Sequence, residues 1–337
     1  MVREFEPMRF RPLLKRYVWG GRRLGECLGK AIGEGTDYAE SWEVVDHGDN
    51  QSVVTEGAST GRELGDLVRR WPREMLGAAW TGPRIESNSF AMLQQRFPLL
   101  FKFLDAQLPL SVQVHPSDQQ GLRLNPPDLG KTEAWVILDA RPGSLVFAGL
   151  RDGVGRDELE RHVQAGTTDQ CLHSLEPMPG DCLFIPAGTV HALGGGLLVA
   201  EIQQASNTTF RLFDWNRVDA SGQPRPLHIA QALETIDYQR GPVQPQKPQA
   251  TGETGRELLV ECEKFRLERL RGNGDRTLAQ DDRCHILAVI DGSVRVRSAA
   301  GSWACSRGET LFLPASRPAL VAELSNDAVL LDMSPNC

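Results

Sequence analysis

The chain lacks several features that would each suggest a role at once. No apolar stretch approaches the roughly 18 residues that span a bilayer, so no membrane partner is expected. No block of Lys or Arg stands out and the formal net charge is -7, which argues against nucleic acid. The seven cysteines, at 27, 171, 182, 262, 284, 305 and 337, contain no CxxC pair. An odd, widely spaced set reads as reduced thiols in the cytoplasm. Cys182 and Cys284 lie inside apolar runs and are expected in the core. Met1 to Arg11 is charged and has no apolar centre, unlike a secretory leader. The run Gly194-Gly195-Gly196 has neither a P-loop nor a dinucleotide-binding pattern around it, and reads as a tight turn.

What is present points to many short strands. The 337 residues suggest two domains of about 150 residues each. Hydrophobic residues at 40% against 24% charged provide a packed core, and 33 Gly with 21 Pro, scattered throughout, favour strands and turns over long helices. Trp19-Gly20-Gly21 and Gly33-Glu34-Gly35 read as turn signals, and Ser41–Val45 as a short strand. Leu64, Leu67, Val68, Trp71 and Met75 recur at helical spacing, and a second helical stretch runs from Phe90 to Phe97. A small helical insertion is therefore expected at about 61–98, with further helices at Asp157–Ala165 and Leu227–Ile236. Gly241 to Gly255 is rich in proline and glycine and reads as a linker. It divides a domain over 1–240 from one over 256–337. The second holds strand candidates at 258–260, 265–267, 285–290, 293–297, 309–313 and 328–332.

A weak repeat links the two. Pro179-Gly-Asp-Cys-Leu-Phe-Ile-Pro-Ala-Gly188 is matched by Arg307-Gly-Glu-Thr-Leu-Phe-Leu-Pro-Ala-Ser316, and the segment from Glu133 resembles that from Cys284. His191 follows the first copy, whereas Arg317-Pro318 follow the second. Two related barrels are expected, of which the first alone keeps the His.

The chemistry centres on Leu110 to Pro116, Glu133 and His191. Gln113 and His115 are two apart, so on a strand they share a face. Glu133 opens the apolar run Trp135 to Leu138, and His191 follows a third run, Leu183 to Val190. One amide oxygen, two imidazoles and one carboxylate suit a divalent metal of intermediate softness. His173, His228 and His285 lack such neighbours in sequence. Trp19, Trp42, Trp135 and Trp215 are expected in the core or as pocket walls.

The Gly180-Asp181 turn, its strand, the Pro-Ala-Gly turn and His191 resemble the second motif of cupin barrels. Gln113-Val114-His115 in place of His-x-His resembles the type I phosphomannose isomerases, in their compact bacterial form. The resemblance extends over Lys15 to Gly21, Ala39 to Glu43, Leu99 to Lys102, Gly130 to Trp135 and Asn207 to Trp215. It implies a mainly β fold of two cupin-type jelly rolls and an interconversion of mannose 6-phosphate and fructose 6-phosphate through a cis-enediol. It implies one Zn2+ per chain on Gln113, His115, Glu133 and His191. Arg211 matches the family's Asn-Thr-Thr-x-Arg segment and would face the sugar, or else pair with Asp214 as a structural residue. Lys131 and Glu201 are both candidates for the base. Ser111 and Lys102 are candidates for the phosphate. The partner implied is a small sugar phosphate, bound by a monomer or a dimer. The same ligands would serve an isomerase of another sugar phosphate, or a sensor that binds without turnover.

Overall fold

In a computed structural model, described over residues 4–80, 93, 95–218, 222–278 and 280–336, the chain is mainly β. In chain order the strands begin with β1 (Leu13–Gly21), β2 (Tyr38–Val44), a two-residue pair β3 (Asp46–His47) and β4 (Asn50–Gln51), β5 (Leu99–Ala106) and β6 (Val112–Val114). Then come β7 (Glu133–Ala140), β8 (Val146–Leu150), β9 (Leu172–Leu175), β10 (Cys182–Ile185), β11 (His191–Leu193), β12 (Leu197–Gln204) and β13 (Phe210–Phe213). The remainder are β14 (Gln249–Ala250), β15 (Arg256–Glu261), β16 (Phe265–Thr277), β17 (His285–Asp291), β18 (Ser293–Arg297), β19 (Ser302–Ser306), β20 (Thr310–Leu313) and β21 (Val321–Pro335).

Two antiparallel sheets build the first barrel, ordered β1-β2-β5-β12-β7-β10 and β13-β6-β11-β8-β9. Strand alternation decides where each side chain goes. On β5, Leu104 and Lys102 point between the two sheets, while Phe101 and Phe103 point out the back. Leu104, Trp135, Ile137 and Val199 of one sheet meet Val146, Ala148 and Leu193 of the other in a common core. The back of the larger sheet is covered by the second barrel, where Phe265, Ile286, Phe312 and Met333 pack with Phe101, Val136 and Ile202. A sheet buried on both faces explains why β5, β7 and β12 read as continuous apolar runs. The second barrel is one eight-stranded sheet that folds on itself around Leu287, Val294, Leu311 and Leu330.

Several expectations shift. Trp19-Gly20-Gly21 is not a turn but the end of β1. A Cβ on Gly20 would stand 2.5 Å from the Asp37 carbonyl oxygen, so the glycine permits close strand approach. The helical insertion contains Leu64–Arg70 and Pro72–Leu76, two short helices separated at Trp71 because Pro72 cannot donate to the turn before it. Half of the expected stretch Phe90 to Phe97 lies outside the described residues. Helices at Arg156–Ala165 and Ile229–Thr235 lie within two residues of expectation. The proline-rich segment after Gly241 is hydrogen-bonded to the first barrel: Val243 N–H donates to Ala148 O at 3.1 Å and Gln246 N–H to Cys182 O at 2.7 Å. Its Gln249–Ala250 already forms β14. The N-terminal segment also reaches the second barrel, Met8 and Phe312 exchanging backbone hydrogen bonds of 2.8 and 2.9 Å.

Between β6 and β7 a single helical turn, Asp118–Gly121, is held by a capping box in which Ser117 and Gln120 bond reciprocally. Asp118 accepts from Gly130 N–H and Gln204, and pairs with Lys264 at 2.7 Å. This turn sets the path from His115 to Glu133. Ser117→Ala is expected to cost about 1 kcal/mol of stability by urea denaturation. A change under a few tenths would show that Asp118 alone holds the turn.

Candidate active site

Each sheet of the first barrel contributes one row of side chains to a cavity of about 310 Å³. On the smaller sheet the row crosses three strands, because His191 and Arg211 both stand opposite Gln113. On the larger sheet Lys102, Glu201 and Trp135 stand opposite one another, and Glu133 shares the face two residues before Trp135. Ser111, Gln113 and His115 share the face their spacing predicted.

His115, Glu133 and His191 converge so that one ligand atom from each lies within 4.8 Å of the others, and all three are buried. Glu133 Oε2 is 3.5 Å from His115 Nε2, and its Oε1 is 3.3 Å from His191 Nε2. The imidazoles are oriented from behind. His115 Nδ1–H donates to Thr208 O at 2.9 Å and His191 Nδ1–H to Thr189 O at 2.8 Å, which leaves both Nε2 atoms for the site. Burial, followed by the Lys131 charge, pushes His115 well below its usual value. Burial pushes His191 down to about 4. Both rings are therefore neutral near pH 7, the form that ligates metal. The Gln113 amide adds a fourth polar group, its Nε2 3.5 Å from His191 Nε2 and its Oε1 turned to Ser111 Oγ. Two neutral imidazoles, one carboxylate and one amide fit a divalent cation.

The turn that delivers His191 needs its glycine. Gly188 has φ +86°, its N–H donates to His115 O at 2.9 Å, and an added Cβ would press on Asp237 Cβ at 3.2 Å. Asp128 steadies the other side. It accepts from Ser206 Oγ at 3.0 Å and Thr208 Oγ1 at 3.2 Å, and pairs with Arg96 and His47. The loop carrying the Thr208 carbonyl is thereby tied to the helical insertion.

Lys131, Glu201 and Lys102 form a buried charged group beside the imidazoles. Lys131 Nζ lies 2.6 Å from Glu133 Oε2 and 2.9 Å from His115 Nε2. Glu201 Oε1 makes no hydrogen bond of normal geometry, although the ammonium groups of Lys102 and Lys131 are each 3.5 Å away. Burial raises the Glu201 carboxyl above its usual range. Lys102 lies between Glu201 and Glu40, 3.7 Å from the latter; burial alone would lower it, but the carboxylates outweigh burial and raise it.

Arg211 does not pair with Asp214. Its Nε donates to Ser111 Oγ at 3.3 Å and its Nη1 to Pro226 O at 2.8 Å. Ser111 in turn donates to Gln113 Oε1 at 3.2 Å. Asp214 is instead held by Arg217 and Arg225. Trp19 and Trp135 line the cavity. Sequence reasoning gave no role to Glu40, Asp128 or Arg225. The Glu40 signal was present, since it lies in one of the segments that carry the family resemblance. Arg225 had none, because it sits in a loop between two prolines.

His285, which lacks ligand-like neighbours in sequence, gains two carboxylate partners in the fold. Its Nδ1 is 2.6 Å from Asp332 Oδ1 and its Nε2 3.0 Å from Asp281 Oδ1. Leu313 stands opposite His285 as Ile185 stands opposite Glu133, so His285 occupies the Glu133 position of the repeat. By the same registers Asp332 takes the place of Glu201, Glu268 that of Lys102, and Arg256 that of Glu40. The repeat is thus offset by one residue from the match of Glu133 with Cys284. The second copy fills its polar row with its own cations, Arg256 and His285.

A family model described as phosphomannose isomerase type I, catalytic domain, matches residues 8–134. Mannose-6-phosphate isomerase ManA of Bacillus subtilis (strain 168) is 34% identical over 314 residues, covering 92% of this chain and 93% of that protein. Mannose-6-phosphate isomerase of Streptococcus mutans is 32% identical over 311 residues, 92% of each chain. The crystal structure of the mannose 6-phosphate isomerase from Bacillus subtilis matches with a TM-score of 0.86 at 29% identity, covering 98% of this chain and 99% of that one. With its buried His-Glu-His group in the first barrel, the chain belongs to the type I phosphomannose isomerase family and is an enzyme of that family.

Proposed function

We propose that this enzyme interconverts D-mannose 6-phosphate and D-fructose 6-phosphate with one zinc ion per chain. The observation that carries the proposal is the shared cavity: a His-Glu-His group with Lys131 and Glu201 at one end, and Arg211 with Ser111 at the other.

His115, Glu133, His191 and the Gln113 amide would hold the ion. When bound, it supplies positive charge beside the oxygens on which negative charge develops. One of Lys131 and Glu201 removes the proton from C2; the electron pair forms the C1–C2 double bond of a cis-enediol and O1 gains a proton. Returning the carbon-bound proton to C1, with loss of the O2 proton, gives the ketose. Glu201 has the raised carboxyl that such a base requires. The Lys102 charge partly counters that rise. Arg211 binds the anionic substrate from the opposite sheet, and Ser111 contacts the phosphate end. Trp19 and Trp135 form apolar walls that exclude water from the enediol.

A coupled assay from mannose 6-phosphate, with chelation and zinc restoration, tests this reading. Turnover that chelation abolishes and zinc restores is expected. No turnover from folded, zinc-loaded protein would sink it. Of Lys131→Ala and Glu201→Ala, at least one is expected to lower kcat by about 10²-fold or more; unchanged kcat in both removes the assignment of the base. No helix among the described residues is long and apolar enough to cross a membrane, and the six described cysteines are free, which suits a cytoplasmic enzyme.

A further inference from the structure

The cavity is electrically two-ended. At the end beside the imidazoles, Glu40, Glu133 and Glu201 face Lys102 and Lys131, a surplus of one negative charge before any cation binds. At the other end stand three guanidinium groups, Arg211, Arg217 and Arg225, and the carboxylate of Asp214, which pairs with the last two.

Arg225 holds Asp214 by a two-pronged pair, Nε to Oδ2 at 2.7 Å and Nη2 to Oδ1 at 2.5 Å. Arg217 takes the same Oδ1 and also donates from Nη1 to Pro109 O at 2.6 Å and from Nε to Asp214 O at 3.3 Å, so each of its guanidinium nitrogens is engaged. Arg225 lines the cavity; Arg217 does not. The next carbonyl, Pro226 O, accepts from Arg211 Nη1, so Arg225 and Arg211 are tied to one short segment. Burial, and then the Arg225 charge, hold Arg211 below its ordinary value. Two like charges that line one cavity and act on each other are relieved by an anion between them. Lys102 cannot serve that purpose equally, because two carboxylates already lie within 3.7 Å of it.

We propose that Arg225, locked by Asp214, is a specificity-determining residue that anchors the phosphate of the substrate together with Arg211 and Ser111. The sugar then lies with its phosphate at the arginine end and C1 and C2 beside Glu133 and Glu201. Arg225 selects phosphorylated over free sugar; Asp214 is a positioning residue that aims it. This orientation rests on the isomerase reading, but the anion site itself does not.

The test uses the full chain and the variants Arg225→Met and Arg225→Lys. Inorganic phosphate binding is measured by calorimetry, and isomerisation is measured with mannose 6-phosphate and with unphosphorylated mannose. For Arg225→Met, phosphate affinity is expected to fall by about tenfold or more. KM for mannose 6-phosphate should rise by a similar factor, more than kcat falls, while kcat/KM for free mannose stays level. Arg225→Lys should recover part of the loss, since it restores charge without the fork. Unchanged phosphate affinity in a folded Arg225→Met protein would overturn the proposal. So would equal losses for phosphorylated and free sugar, or a Lys102→Met variant that loses phosphate binding while Arg225→Met keeps it. If the unaltered protein turns over neither sugar, the isomerase reading fails, and the calorimetric arm still decides the role of Arg225.

Discussion

Replacing Glu133 by Gln is expected to abolish metal binding at stoichiometric protein and to lower turnover of mannose 6-phosphate by about 10³-fold or more. The size follows from what the residue does. It is the one carboxylate among the side chains proposed to hold the metal, and without it a dication would be held by neutral groups alone. Losing the charge stabilisation that a metal gives an enediolate is worth several kcal/mol, and each 1.4 kcal/mol is tenfold in rate. A second effect opposes a simple reading. Glu133 also lies 2.6 Å from the buried Lys131 ammonium, so the substitution unbalances a buried charge. Glu201, 3.5 Å from Lys131, remains to absorb part of that cost. Metal content by mass spectrometry separates the two effects. A folded Glu133→Gln protein that retains one ion per chain and near-normal turnover would remove Glu133 from the ligand set. Removing the ion from the unaltered protein by chelation should also lower its thermal midpoint, because a ligand that binds only the folded state stabilises it.

The second large effect is expected far from the chemistry, at Asp332 in the second barrel. Its carboxylate accepts from His285 Nδ1 at 2.6 Å and from Arg256 Nη1 at 3.1 Å, and both cations are nearly enclosed. Asp332→Ala leaves Arg256 with Glu268 and Glu253, and His285 with Asp281 alone. Breaking a buried pair in this way costs roughly 3–5 kcal/mol, or on the order of 10 °C in midpoint. The pH dependence has a definite sign. Burial would lower His285, but Asp332 and Asp281 outweigh it and raise the ring to about 9. The His285 contribution is thus complete below about pH 6.5 and is lost as pH rises through 9. Asp332 is buried, yet His285 and Arg256 hold it at about 2, so its contribution is complete above about pH 4 and is lost as pH falls through 2. Chemical denaturation of the unaltered protein should show stability falling between pH 6.5 and 9, by on the order of 2 kcal/mol from this group. In Asp332→Ala that fall should shrink. An equal slope in both proteins would show that His285 does not titrate with this network.

Within the first barrel, local spacing carried much of the site. Ser111, Gln113 and His115 alternate on one strand, and the pleat sends alternate residues to one face whatever surrounds it. The Pro186-Ala187-Gly188 turn before His191 is a local signal too, because Gly188 takes a backbone conformation that other residues resist. Other features depended on partners that spacing does not specify. Arg211 could have met Asp214 three residues on, yet Asp214 is taken by Arg217 and Arg225. Lys102 inside an apolar strand gave no hint of Glu40, which arrives from β2. The proline-rich segment after Gly241 has a linker's composition, but its backbone groups run past the first barrel and bond there.

The amino-acid sequence by itself determined the mainly β character, the strand faces and the set of side chains able to hold a divalent cation. Those follow from the period-two pleat and from residue chemistry, both of which act over a few positions. Only the tertiary structure decided which charges meet: that Lys131 lies against Glu133 and His115, that Arg225 rather than Arg211 grips Asp214, and that His285 takes the Glu133 position in the second barrel. These depend on cross-strand register and loop path, and a one-residue change of register turns every side chain to the opposite face.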